Sequence, residues 1–343
     1  MRSTDYAEWS NLCNLCNLSS EMRKIFINEV GRLRSGWRLL LFIFASIAAW
    51  YLLAAALWIA YAIVLAVAPG PHTAFIDDVI FRLSILASAL VAGYLCARWL
   101  EGLPWRSLGL TLHLGWLRDL LFGCVVGFVS LAIAVGIAIA GRGLTFSVNG
   151  AAVTSLVRSM LGSAALLFVA ALAEEAMFRG YGLQTLARAR LVWLGLLLTS
   201  VPFGLAHLDN PNVVPFVTFA NTTLAGIWLG AAYLKTRSLW LPLGVHWAWN
   251  WALGGFFGLP VSGMKVVSNP LFNGTDIGPA WLTGGTYGIE GGVAGTVALI
   301  LSTLFLWRTA WLSATPELAQ LTSEENPATR EPVLTIRPVD DHA

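Results

Sequence analysis

Apolar residues run along this chain in long blocks, without the strict alternation of half-buried strands. A hydrocarbon layer of about 30 Å takes roughly 20 helical residues to cross. Blocks near or above that length fall at 37–68, 81–100, 119–140, 154–178, 191–208, 213–234, 239–259 and 293–312. The pattern predicts an all-α fold, a polytopic transmembrane bundle of about eight helices. The first block is longer than a span requires, so it is expected to tilt or to extend past the lipid. Before it, Ile25, Phe26, Val30 and Leu33 recur at near-helical spacing among basic residues, the signature of an amphipathic segment lying on a membrane face. After the last block, a polar stretch with Pro316, Pro327, Pro332 and Pro338 cannot bury a core and is expected to be disordered. The chain is therefore divided into a cytoplasmic amphipathic segment (1–36), N-terminal transmembrane helices (37–153), a central unit (154–259), an extracytoplasmic loop with the last helix (260–313) and a cytoplasmic tail (314–343).

Composition supports the membrane reading. The chain is 57% hydrophobic and 12% charged with a mean hydropathy of +0.70, too apolar for a soluble domain of this length. A net charge of +2 gives no basic surface of the kind that binds nucleic acid, so the partners expected are the bilayer and a membrane-associated protein or peptide. The basic residues instead segregate by loop. Arg23, Lys24, Arg32, Arg34, Arg38, Arg98, Arg106, Arg118, Arg188, Arg190, Lys235, Arg237 and Arg308 fall on one side, against Arg82, Arg142, Arg158 and Lys265 on the other. That bias predicts both termini in the cytoplasm. Cys13 and Cys16 form a C-x-x-C with no companion ligands near in sequence, which reads as surface or lipid-anchor cysteines more readily than as a metal site.

Against this apolar background a few polar residues stand out: Glu174, Glu175 and Arg179 in ALAEEAMFRG, His207 in FGLAH, and His246 with Asn250 in HWAWN. Ionisable groups in lipid are costly and point to function. With a turn at Arg188–Arg190, Glu174 lies about 16 residues before it and His207 about 17 after. An antiparallel hairpin with a rise of 1.5 Å per residue brings both to one depth, about 24 Å from the turn. His246 and Asn250 are four apart and share a helical face, as do Phe203 and His207, which lets the Phe203 ring pack beneath the imidazole. Adjacent residues on a helix diverge by about 100°, so Glu174 and Glu175 have different tasks. Glu175 precedes Arg179 by four residues, the favourable order for an intrahelical ion pair, and is expected to support the structure. Glu174 is then the residue that faces a cavity as a base.

Taken together, E-E-x-x-x-R, F-x-x-x-H and H-x-x-x-N on successive apolar segments resemble the CPBP intramembrane protease family. That family includes type II CAAX prenyl endopeptidases and bacteriocin-processing or immunity (Abi-like) proteins. All three motifs are matched, by Glu174, Glu175 and Arg179, by Phe203 and His207, and by His246 and Asn250, within about residues 155–258. The resemblance implies hydrolysis of a peptide bond in the membrane, possible substrates being prenylated CAAX-type proteins or leader peptides. The residues suit that chemistry. A buried Glu beside a His can deprotonate water, and His246 with the Asn250 carboxamide can donate to the oxyanion. A Zn²⁺ held by His207, His246 and Glu174 is the alternative cofactor assignment, although the zinc motif H-E-x-x-H is absent, which favours catalysis with no cofactor.

Other readings use the same residues. Proton-coupled transporters also place Glu and His in membranes, but they tend to carry internal repeats, and none is evident. A non-catalytic immunity or scaffold protein has no need of the full polar set. His246 and Asn250 can also serve as interhelical glue. Trp247, Trp249 and Trp251 are expected to shape a substrate groove, and Gly-rich 284–292 to be a flexible loop. Asp77, Asp78, Asp209, Asp276 and Glu290 are read as solvated loop residues, and His72, His113 and His342 have no assigned role.

Overall fold

The computed structural model describes residues 24–29, 31–68 and 74–323. Cys13 and Cys16, Val30, His72, His342 and the tail beyond residue 323 lie outside these. Helices follow the predicted apolar blocks: α1 Ser35–Val67, α2 Ala74–Leu100, α3 Trp116–Ala140, α4 Val153–Arg188, α5 Val192–Ala206, α6 Pro215–Thr236, α7 Trp240–Trp251 and α8 Val293–Arg308. Among the described residues four helices are long and apolar enough to cross a membrane: Ser35–Val67, Ile76–Leu100, Trp116–Ala140 and Val153–Arg188. Val192–Ala206 and Val293–Arg308 are apolar but shorter, and α7 has only 12 α-helical residues. The all-α class stands, while the expectation of eight full spans is met by length and apolarity for four. Of the predicted amphipathic segment, the described part is one helical turn at 24–26 followed by a tight turn closed by an Ile27–Leu33 bridge.

Two features depart from a pure helical pattern. Strands β1 (Leu144–Val148) and β2 (Phe272–Asp276) pair antiparallel, Phe146 opposite Gly274. The LTFSV stretch does alternate apolar and polar residues, but five residues flanked by long helices are a weak strand signal. Second, α4 and α7 are not α-helical throughout. Ala176–Leu183 and Ala252–Phe256 are π-helical, and such widened turns are commonly found at functional sites.

Lipid gives helices no hydrophobic reason to associate, so small residues that let backbones approach do much of the packing. A Cβ added at Gly123 or Gly127 of α3 would lie 2.3 Å from Leu241 O or 2.2 Å from Val245 O, and one at Gly244 of α7 would lie 2.1 Å from Leu120 O. Helices α5 and α6 meet in the same manner, Gly204 against Thr223 and Gly226 against Ser200. The α3–α7 contact brackets Val245 and so fixes its neighbour His246. The main core spreads from this contact through Leu131, Val135, Trp228, Leu241 and Leu299, all nearly inaccessible.

Gly127→Leu should therefore force α3 from α7, at a cost of about 1–3 kcal/mol or more from overpacking. Thermal unfolding in detergent should show a lowered Tm. Gly136→Ala on the same helix, where an added Cβ meets nothing within 4 Å, should show no loss.

Candidate active site

The polar cluster is built from α4, α5 and α7. On α4, Phe178 meets Phe203 of α5 edge-on with centroids 5.3 Å apart, and the Arg179 guanidinium sits 4.6 Å from the Phe203 centroid. Because the helices run antiparallel, stepping four residues back from Phe178 and four forward from Phe203 moves one turn in the same physical direction. Those steps arrive at Glu174 and His207. Both line a cavity of about 620 Å³ together with Phe203, His246, Asn250 and Trp249.

Glu174 and Glu175 do diverge. The Glu174 side chain is 31% exposed and its Oε2 lies 3.7 Å from His246 Nε2. Glu175 is wholly buried. Its Oε1 accepts from Arg179 Nη1 at 3.0 Å and from His246 Nδ1 at 2.8 Å. The predicted Glu175–Arg179 pair is present, and Glu175 has a further task that sequence spacing did not indicate: it holds the imidazole of His246. A carboxylate only accepts, so Nδ1 of His246 carries a proton. Arg179 Nη2 also donates to Gly226 O of α6 at 3.1 Å, tying the π-helical part of α4 to the helix behind it.

His207 is set by its own helix. Its Nδ1 donates to Phe203 O at 2.7 Å, which leaves Nε2 as the basic nitrogen of the neutral ring. The Phe203 ring packs against it with centroids 4.6 Å apart. Asn250 lines the cavity one turn from His246. Of the three tryptophans, only Trp249 lines it. Trp247 and Trp251 instead donate to Ala164 O and Met160 O of α4, so they brace α7 against α4. Among the described residues no group of three His, Cys, Asp or Glu side chains is arranged to hold a metal ion. The zinc assignment to Glu174, His207 and His246 is left to the chelation experiment below, and no step below is routed through a metal.

Several polar residues read as solvated or as topology charges are neither. Asp77 and Asp78 lie within α2, and Asp78 pairs with Arg82 at 2.9 Å on the cavity wall. Glu290 accepts from Trp249 Nε1 at 3.0 Å and from Ser262 N at 2.6 Å, and it lines the same cavity. The Gly-rich segment around it is folded into 3-10 turns with Tyr287 and Ile289 buried. Glu101 is buried between Arg38 and Arg188, each 2.8 Å away, and accepts from Thr185 as well. No local sequence signal marks Glu101 or Glu290, since their partners lie tens of residues away.

Residues 156–252 match a family model described as type II CAAX prenyl endopeptidase Rce1-like. The segment is similar to that family. It runs from early α4 to the end of α7 and contains every residue of the three motifs, so the family resemblance read from them is supported. No curated protein matches the chain. With four helices of membrane-crossing length, this is an integral membrane protein, and the family that its 156–252 segment resembles is one of proteases.

The buried Glu175–Arg179–His246 group yields a prediction that needs no substrate. Arg179→Met strands a buried carboxylate and should destabilise the protein by about 3–5 kcal/mol. Adding Glu175→Gln to Arg179→Met should recover part of that loss, because the Gln side chain carries no charge to bury and its carbonyl oxygen can still accept from His246 Nδ1. Detergent unfolding curves of the two variants test this, and equal stability would contradict it.

Proposed function

We propose that the protein is an intramembrane endopeptidase that cleaves membrane-associated peptides, with Glu174 as general base. The reading is supported above all by the meeting in one cavity of a partly exposed carboxylate, two imidazoles and a carboxamide, in a segment that matches the Rce1-like model. A water molecule beside Glu174 and His207 loses one proton to the Glu174 carboxylate, while His207 Nε2 accepts a hydrogen bond from its other O–H. The water oxygen bonds to the scissile carbonyl carbon. His246, as the imidazolium held through Nδ1 by Glu175, donates from Nε2 to the resulting oxyanion, and Asn250 donates from its amide. The C–N bond then breaks, and Glu174 returns its proton to the departing nitrogen. Glu175 and Arg179 act through His246 and touch no substrate. The apolar part of the cavity, lined by Phe42, Ile47, Trp50 and Phe81 of α1 and α2, accommodates a hydrophobic or prenylated portion of the substrate.

Purified protein in liposomes should cleave prenylated or unprenylated peptides. Glu174→Gln should lower kcat by about 10²–10⁴-fold, and Asn250→Ala by about 10²–10³-fold. Undiminished cleavage by Glu174→Gln would remove Glu174 as the base. Activity that survives a strong chelator in a metal-free preparation fits this scheme, and activity lost to chelation and restored by Zn²⁺ would replace it.

A further inference from the structure

An enzyme that hydrolyses bonds among apolar helices must be supplied with water and must discharge a hydrophilic fragment. The catalytic cavity meets a second one at its loop end. This outer cavity, about 700 Å³, is lined by glycines, by Leu144, Leu259 and Ile289, and by polar residues that include Asn212, Lys265, Thr275, Asp276 and Thr286. Its polar groups and glycine backbone suit water and peptide, and they contrast with the cluster of Phe42, Ile47, Trp50 and Phe81 in the catalytic cavity. The two cavities share Met264.

A tight hairpin forms the partition. Val261 and Met264 close it with hydrogen bonds in both directions, 2.8 and 2.9 Å. Val261, Ser262 and Val266 line the catalytic side, whereas Pro260, Gly263 and Lys265 line the outer side. Its tip is conformationally restricted: Ser262 has φ 47° and Gly263 has φ 83°, and a Cβ at Gly263 would lie 2.0 Å from Pro211 O. Three tethers hold it. Ser262 donates to Glu290 Oε2 from its backbone N at 2.6 Å and from its hydroxyl at 3.1 Å. Asn212 donates to Gly263 O at 3.0 Å, and Gly263 N donates to Tyr287 O at 2.9 Å. Glu290 is the tether that also reaches the catalytic helix, through Trp249.

We infer that the outer cavity is the hydrated antechamber of the site, binding water and the hydrophilic peptide product, and that the Ser262–Glu290 hydrogen bonds latch the hairpin separating it from Glu174. The product part of this inference rests on the protease reading, while the water route does not. Glu290 positions the partition and has no contact with the reacting atoms.

The test uses full-length protein in liposomes with Cys13, Cys16, Cys96 and Cys124 changed to Ala and one probe, Val266→Cys, on the catalytic side. The reagent is a cationic, membrane-impermeant methanethiosulfonate. Loss of hydrogen bonds to a charged acceptor shifts a closed–open equilibrium by about tenfold or more, so Glu290→Ala should speed modification by that factor. Ser262→Gly, which removes only the hydroxyl tether, should speed it less, and adding Thr286→Trp to fill the antechamber should suppress it in either variant. Equal modification rates with and without Glu290→Ala, or labelling undiminished by Thr286→Trp, would overturn the route. If Glu290→Ala fails to fold, Ser262→Gly and Asn212→Ala carry the same comparison. On peptide substrate, Thr286→Trp should lower kcat while KM stays near the parent value. Labelling that behaves as expected in a protein that cleaves nothing would leave the water route standing and remove the protease reading.

Discussion

One carboxylate oxygen, Glu175 Oε1, accepts from both Arg179 and His246, and the candidate site depends on that shared contact. Removing a carboxylate and a guanidinium from water costs several kcal/mol per ion, and only close geometry with further hydrogen bonds repays it. Here the further bonds run to a second element and a third. Arg179 reaches the α6 backbone at Gly226, and Glu175 reaches His246 on α7. The ionic pair thereby links three helices at one level. It also fixes which imidazole nitrogen of His246 is left to the cavity, which spacing along α7 could not decide.

The widened turns place this group. Glu175 is the last α-helical residue of its segment before the π-helical stretch begins, and Asn250 stands one residue before the end of the α-helical part of α7. A π-turn takes an extra residue into each turn and so shifts the face presented by everything beyond it. On α4 that shift separates two faces in function. Glu174 looks into the cavity, and a few residues later Tyr181 and Thr185 turn towards Glu101.

Much of this was legible from residue order. The apolar blocks gave the helices, the i,i+4 spacing gave the Phe203–His207 ring contact and the Glu175–Arg179 pair, and the divergence of neighbours on a helix separated Glu174 from Glu175. What escaped was non-local. Arg38 and Arg188 look like flanking topology charges because a one-dimensional reading sees only their basic neighbours, yet they meet at Glu101 across 63 and 87 residues of chain. Glu290 sits in a run of glycines that resembles a loose loop, and its order comes from Trp249 and Ser262. The expected eight full spans are met by length and apolarity in four helices, and α7 shows what the blocks leave open. An apolar block in sequence does not reveal that α7 stops after 12 α-helical residues and continues as π-helix.

Helix α4 carries ionic anchors at two levels, and the pair explains more than either alone. Near its middle, Glu175 and Arg179 bind it to α6 and α7. At its end, Arg188 pairs with Glu101, which also takes Arg38 from α1. Glycine-lined contacts and apolar packing tolerate sliding and rotation of one helix past another, since lipid and side chain are equally apolar. A buried ion pair does not, because a shift of a few ångströms leaves an uncompensated charge in a low-dielectric interior. Two such anchors separated by several turns fix both the axial position of α4 and its rotation. With α7 held against α3 by Gly123, Gly127 and Gly244, the 3.7 Å separation of Glu174 from His246 is set by groups that take no part in the proposed chemistry.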